Sequence, residues 1–198
     1  MRREIDRRGL LIGIGLLAGS LPSLGLAAPR TLRSGTHPAV AYLRTVAADL
    51  IAAQTSGSPA DFFQAINRHA DVPAIATYAL GRYKYELPKS DQPRFYHGVA
   101  AFMARYFADQ SRSYRIAKAD IGTATNEANG EVLVKSTVTL TSGSSYRVTW
   151  RLVPTRGGFK VRDVTVLGFS LRHLQRSLFH SYMAKRGGLK ALVAALTR

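Results

Sequence analysis

The chain has 198 residues, with 28 Lys and Arg against 12 Asp and Glu, which gives a formal net charge of +16. It contains no cysteine, so disulfides and thiolate chemistry are excluded and packing alone must hold the fold. This length suits one domain with a real core. A surface this basic attracts anions over about 10 Å, which is the Debye length at ordinary ionic strength.

Residues 1–27 have the three zones of a secretory signal peptide. Four arginines give a positive start, residues 9–21 are uncharged and shorter than the ~20 apolar residues of a bilayer span, and Gly25-Leu26-Ala27 offers small residues for cleavage. We predict cleavage after Ala27, with cleavage after Ala28 or an uncleaved anchor as alternatives. The pair Arg7-Arg8 resembles a twin-arginine signal, so both the Sec and the twin-arginine export routes remain open.

Residues 28–38 are predicted to be a flexible lead-in, and helical periodicity follows it. Apolar residues recur at helical spacing from Val40 to Leu50, and Gly57 is predicted to end this first helix. Ser58 with Pro59 predicts the start of a second helix, and Asp71 predicts the cap of a third that ends at Leu80. Ser90 is predicted to open a fourth helix, and its apolar stripe consists of Phe95, Val99, Phe102, Met103 and Tyr106.

At Ser111 the apolar period changes from near four to two, which predicts strands. The first begins at Tyr114, and further strands cover residues 132–140, 146–152 and 159–166. In the last strand the parity switches between Val161 and Val164, which predicts either a bulge near Asp163 or a strand covered on both faces. Residues 169–186 and 189–196 return to helical spacing.

Consecutive strands joined by tight turns, with helices before and after them, indicate an α+β fold. We predict a single domain over residues 39–198, in which helices cover one face of a curved antiparallel sheet of about four strands. Many aromatic residues fall in the middle helices and the sheet. They fit either a filled core or a lined cavity between the two layers, and periodicity leaves both open.

The five histidines do not form a metal or catalytic pattern. None has a partner at His-x-x-x-His spacing, and His173 and His180 are seven residues apart without a neighbouring acid. The sequence also lacks a Gly-x-Ser-x-Gly elbow, a phosphate-binding loop and a dinucleotide fingerprint. We therefore predict no catalytic residue, no metal and no cofactor, and keep as an alternative a hydrolase assembled from scattered Ser, His and Asp.

Several segments match a known family in their order and spacing. They are Ala79-Leu80-Gly81-Arg82-Tyr83, Pro93-Arg94-Phe95, Tyr106-Phe107, Asp163-Val164-Thr165-Val166-Leu167-Gly168-Phe169-Ser170, Arg176-Ser177-Leu178-Phe179 and Gly187-Gly188-Leu189-Lys190-Ala191-Leu192. Together with the export signal, they resemble the MlaC-type periplasmic lipid carriers, also called the toluene-tolerance auxiliary family. The resemblance covers residues 39–196.

This resemblance implies a cystatin-like fold with a deep apolar pocket between sheet and helices. It also implies a carrier that moves phospholipid between an outer-membrane lipoprotein complex and an inner-membrane ABC transporter complex, touching each only transiently. The acyl chains are enclosed and the headgroup stays at the mouth. The family often has an acid where this chain has Leu167, so contacts of that acid do not transfer. Related carriers associated with hopanoids share the C-terminal pattern, which leaves the cargo open.

We predict a non-enzymatic periplasmic carrier that binds one lipid and no nucleic acid. A hopanoid-type carrier, a lipid hydrolase on the same scaffold and an adaptor without a cavity are the alternatives. Asp163 is expected to be architectural. Arg82, Lys84, Arg94, Arg105, Arg147 and Arg151 are candidates to meet anionic headgroups or acidic partners, or they form a solvated basic face. The predicted pocket lining is Tyr78, Phe95, Val99, Phe102, Tyr106, Val138, Trp150, Leu152, Val164, Val166 and Phe169.

Overall fold

The structure is a computed structural model that describes residues 36–197. The predicted signal peptide and most of the predicted lead-in lie outside the described residues. Helices precede and follow an antiparallel sheet, which confirms the α+β prediction. The helices are α1 (Pro38–Ser56), α2 (Pro59–His69), α3 (Val72–Leu80), α4 (Gln92–Ser113), α5 (Leu171–Arg186) and α6 (Gly188–Leu196), and the strands are β1 (Ile116–Asn126), β2 (Val132–Leu140), β3 (Ser145–Thr155), β4 (Gly158–Val166) and β5 (Phe169–Ser170).

The first three helices start at side-chain caps, of which the sequence predicts Ser58 and Asp71 but not His37. His37, Ser58 and Asp71 each accept a hydrogen bond from a backbone N–H in the first turn, which satisfies a donor that has no partner within the helix. A proline occupies the first or second position of all three helices. Gly57 ends α1 in the left-handed conformation, with φ of 65°.

The predicted bounds of the fourth helix are wrong at both ends. A short 3-10 turn, Lys89–Asp91, precedes α4, so Ser90 does not open the helix. The helix also runs through Ser111, whose hydroxyl donates to the Ala108 carbonyl. The reason is a stripe of small buried residues, Ala100, Ala104, Ala108 and Ser111, which continues the packed face without the large apolar side chains that mark periodicity.

The sheet has five strands in the order β1-β2-β3-β4-β5, each antiparallel to its neighbour. The fifth strand contains only two residues, and it replaces the start of the helix predicted over residues 169–186. Leu167 and Gly168 form a tight turn at positive φ, which places Phe169 opposite Val166. Ser170 then caps α5 by accepting from the His173 amide, so that helix begins at Leu171.

The predicted bulge near Asp163 is confirmed. Arg151 of β3 lies opposite Asp163, whereas the next residue, Leu152, lies opposite Val161. Arg162 is therefore the extra residue on β4. Because the bulge shifts the alternation by one, Val161 and Val164 reach the same face of the sheet despite their opposite parity.

Candidate functional site

The inner face of the sheet is built from rows of side chains that lie directly opposite one another on neighbouring strands. Directly opposed residues of antiparallel strands point to the same face. Val134, Trp150 and Val164 form one row, and Ser136, Val148, Val166 and Phe169 form the next. The Trp150 indole N–H donates to the Ser136 hydroxyl at 2.9 Å and so ties the two rows together.

Helix α1 crosses this face diagonally. Near its start, the Tyr42 ring lies 5.8 Å from the Phe159 ring at the beginning of β4. Near its end, the Gln54 amide accepts from the Ile116 N–H and donates to the Ile116 carbonyl at the beginning of β1. Those two strand ends are at opposite corners of the antiparallel sheet. The helix therefore leaves the corner where β4 ends and β5 begins without cover from α1.

Six of the predicted lining residues fall into two packed cores. Phe95 and Val99 are fully buried among α3, α4, α5 and α6, with Phe102 beside them. The second core lies beneath α1 and contains Trp150, Leu152 and Val164. The structure therefore does not gather these six side chains around one shared space.

The other five predicted lining residues occupy more open positions. Val138 and Val166 are half-buried on the inner face of the sheet. Tyr106 of α4 and Phe169 of β5 are 51% and 66% exposed, which is unusual for large apolar side chains. Tyr78 belongs to α3 and lines a cleft between α3 and α5.

Two further exposed leucines, Leu174 and Leu178 of α5, are absent from the sequence prediction. They are 53% and 52% exposed, and their spacing of four puts them on one flank of the helix. The buried stripe of the same helix contains Phe179 and Met183. The sequence did contain a signal for these two leucines, because they form a second apolar stripe beside the buried one. A helix that only packs against a core needs a single stripe.

The cleft beside Tyr78 has a volume of about 820 Å³ and lies between α3, α5 and β4. Two guanidinium groups lie over the Tyr78 ring, with the Arg172 and Arg176 carbons 4.0 and 5.3 Å from its centroid. The Tyr78 hydroxyl is hydrogen-bonded to His173 Nε2. This arrangement is cationic rather than apolar.

Asp163 is buried and holds the corner between β4, β5 and α5. It accepts from the backbone N–H groups of Val164 and Arg172 and from the Ser170 hydroxyl. These contacts agree with the expected architectural role. Because the Ser170 hydroxyl donates to Asp163, it accepts from His173 Nδ1, 2.9 Å away. A serine nucleophile instead donates to its histidine, so this geometry gives no support to a hydrolase.

On the other face of the sheet, an ion-pair network occupies some of the basic residues. Arg151 and Arg162 both bind Glu131, at 2.6 and 3.2 Å, and Arg162 also binds Asp71 at 2.8 Å. Burial raises the pKa of Glu131, but the hydrogen bonds from Arg151 and Asn129 outweigh it, and the net shift is downward. Arg151 is therefore already neutralised, which weakens it as a candidate contact for headgroups.

His69 has a structural role. It is buried, and its ring nitrogens bind Asp49 at 2.7 Å and the Tyr42 hydroxyl at 3.1 Å. The hydrogen bond from His69, reinforced by Arg68, lowers the pKa of Asp49. Among residues 36–197 no group of three His, Asp or Glu side chains is placed to hold a metal ion. In the same part of the chain no helix has the length and apolar character needed to span a bilayer.

Comparisons with known proteins agree with this fold. A phospholipid-binding protein of Ralstonia solanacearum, solved in complex with a phospholipid, is similar with a TM-score of 0.67 and 24% sequence identity, over 80% of this chain and 94% of that one. No curated protein sequence matches the chain. The family model described as MlaC protein matches residues 43–198. Since this match spans most of the sequence, the chain belongs to the MlaC family.

Proposed function

We propose that this protein is a carrier that binds a phospholipid by its acyl chains. The observation that carries the proposal is the exposure of four large apolar side chains, Tyr106 of α4, Phe169 of β5, and Leu174 and Leu178 of α5. Helix α5 follows β5 directly at the corner of the sheet that α1 does not cover. We propose that the four side chains form one surface there, which we call the apolar groove. A contiguous exposed patch of large apolar side chains marks an interaction surface in a soluble protein.

Acyl chains match the chemistry of the apolar groove. Each methylene removed from water contributes ~0.8 kcal/mol, so a lipid covers this surface and shields its own chains at the same time. Phe169 lies in the same row as Val166 on the inner face, and the half-buried Val138 lies on that face too. Val138 and Val166 thus continue the groove onto the sheet. In this proposal six of the other predicted lining residues support the groove from the two packed cores, whereas Tyr78 lines the separate cleft.

The family and the Ralstonia solanacearum protein support this assignment. That protein holds a phospholipid on a similar fold. The family match covers the whole sheet, helices α2 to α6 and all of α1 except its first five residues. We extend the proposal to the periplasm, with residues 1–27 as a cleaved signal, and to transfer between an outer-membrane lipoprotein complex and an inner-membrane ABC transporter complex. The support favours binding and carriage over an enzymatic activity.

Native mass spectrometry of the exported protein tests the proposal. We expect a co-purifying phospholipid at one molecule per chain, and uptake of lipid from vesicles by protein stripped of it. A hopanoid mass would change the cargo and keep the carrier. Release of fatty acid or lysolipid during the incubation would indicate a hydrolase, and protein that stays empty in vesicles would refute carriage.

A further inference from the structure

The cleft between α3 and α5 is strongly unbalanced in charge. One carboxylate, that of Asp71, lies among its lining side chains. The cationic residues that line it are Arg82, Lys84, Arg162, Arg172 and Arg176. Asp71 is already engaged, because it caps α3 and pairs with Arg162. The remaining cations therefore have no acid within the cleft to neutralise them.

Arg172 and Arg176 of α5 have guanidinium N–H groups without hydrogen-bond acceptors among the described residues. Within residues 36–197, Arg176 makes no ion pair and no hydrogen bond. The Arg172 Nε is buried without a hydrogen-bond partner in that same range, 3.9 Å from the Asp163 carboxylate. The Asp163 carboxylate, held by Ser170 and by two backbone N–H groups, lies beyond hydrogen-bond distance of this Nε. A buried donor left without a partner is costly.

The Tyr78 ring contacts both of these guanidinium groups. Both make a cation–π contact with this ring, which favours one position for each before any ligand arrives. Arg176 comes so close to the end of α3 that a Cβ on Gly81 would lie 2.9 Å from its Nη2 atom. Gly81 also has φ of 58°, so both the close approach and the backbone conformation there favour glycine.

We propose that this cleft binds a phosphate-bearing anion, which Arg172 and Arg176 hold from the Tyr78 side and Lys84 contacts at the rim. Guanidinium groups match phosphate oxygens in geometry as well as charge. The cleft volume of about 820 Å³ is within the range of small-molecule sites and accommodates a headgroup-sized molecule.

The proposed anion site is distinct from the apolar groove. Leu174 and Arg176 are two residues apart on α5, so they lie about 200° apart around the helix and on opposite sides of it. The proposal therefore does not depend on the proposed function. A phospholipid headgroup and a free phosphate compound share the recognised chemistry, and the test separates them.

Calorimetric titration of lipid-free protein with inorganic phosphate and with glycerol 3-phosphate, in chloride buffer, tests the site. We expect Arg172→Gln and Arg176→Gln each to weaken binding by about tenfold, the effect of one charge-assisted hydrogen bond. Arg156→Gln, an exposed arginine in the β3–β4 turn, is the matched control and should leave the affinity unchanged. The variant that carries both Arg172→Gln and Arg176→Gln is then loaded with lipid from phosphatidylglycerol vesicles. This second measurement identifies whether the bound phosphate belongs to a lipid headgroup or to a free compound.

If lipid loading falls together with phosphate affinity, the anion is a headgroup; if loading is unchanged, it is a free phosphate compound. Absence of phosphate binding by the wild-type protein would overturn the proposal, as would an equal loss in Arg156→Gln. If an α5 variant fails to fold, Lys84→Gln still tests the site, because it changes an exposed side chain at the rim of the cleft. This variant should also bind phosphate more weakly. Unchanged affinity in Lys84→Gln and Arg172→Gln would also overturn it. Phosphate binding by protein that takes up no lipid would refute only the carrier function.

Discussion

Replacing Leu174 and Leu178 together by serine should weaken phospholipid binding by about 30-fold. Each leucine is 53% or 52% exposed, so about half of its side chain remains for a lipid to cover. Complete burial of a leucine contributes ~1.5–3 kcal/mol, so the exposed half contributes ~1 kcal/mol to lipid binding. Two such side chains give ~2 kcal/mol, and each 1.4 kcal/mol changes the dissociation constant about tenfold.

The assay is lipid uptake from vesicles, followed by native mass spectrometry over a range of lipid concentrations. The buried halves of the two side chains also contribute to folding, so we expect the double serine variant to lose ~2 kcal/mol of unfolding free energy. Urea unfolding must therefore show that it is still folded. The matched control is Leu174→Met with Leu178→Met, which keeps the apolar area and should keep lipid affinity. Wild-type affinity in a folded double serine variant would refute the groove.

Three further predictions concern the cores, the ion-pair network and the inner face. Val99→Trp should lower the unfolding free energy by ~1–3 kcal/mol in urea titrations, because Val99 is fully buried in a filled core; undiminished stability would indicate an open space there. Glu131→Gln should destabilise the protein at pH 7, and the difference from wild type should shrink as pH falls. The pKa of Glu131 is lowered by folding, so its stabilisation is present above the ordinary glutamate pKa and is lost as pH falls through the folded value; a difference that does not depend on pH would contradict this. Trp150 is the sole tryptophan and lies roughly 7 Å along β3 from Val148, which is opposite Val166 of the proposed groove, so phospholipid with brominated chains should quench its fluorescence; bound but non-quenching lipid would place the chains elsewhere.

The features that the sequence predicted well are local. Helix caps such as Ser58 and Asp71 act within one turn, and the parity switch at β4 follows from a single extra residue. The element bounds that were predicted wrongly involve weak local signals. The end of α4 depends on small residues that pack as well as large ones, and β5 is a two-residue strand set by its turn.

The candidate site was harder to predict, because periodicity shows which side chains turn inward but not whether the space they enter is filled. Phe95 and Leu174 illustrate the difference. Phe95 belongs to the strongest apolar stripe in the sequence and is fully buried by neighbouring helices. Leu174 belongs to a weaker stripe and is exposed. That distinction arises from how α4, α5 and the sheet are placed, which no local pattern encodes.

Helix α5 contributes to both proposed sites, and its geometry makes the two separable. Its buried stripe, Phe179 and Met183, fixes the helix in the core, so substitutions on the exposed flanks should not displace it. The leucine variants should lose lipid and keep phosphate affinity. The Arg172 and Arg176 variants should lose phosphate affinity in either case. Their lipid loading should fall only if the headgroup occupies the cleft. Loss of both activities in the leucine variant would mean that α5 itself had moved, and amide exchange along α5 would detect that movement.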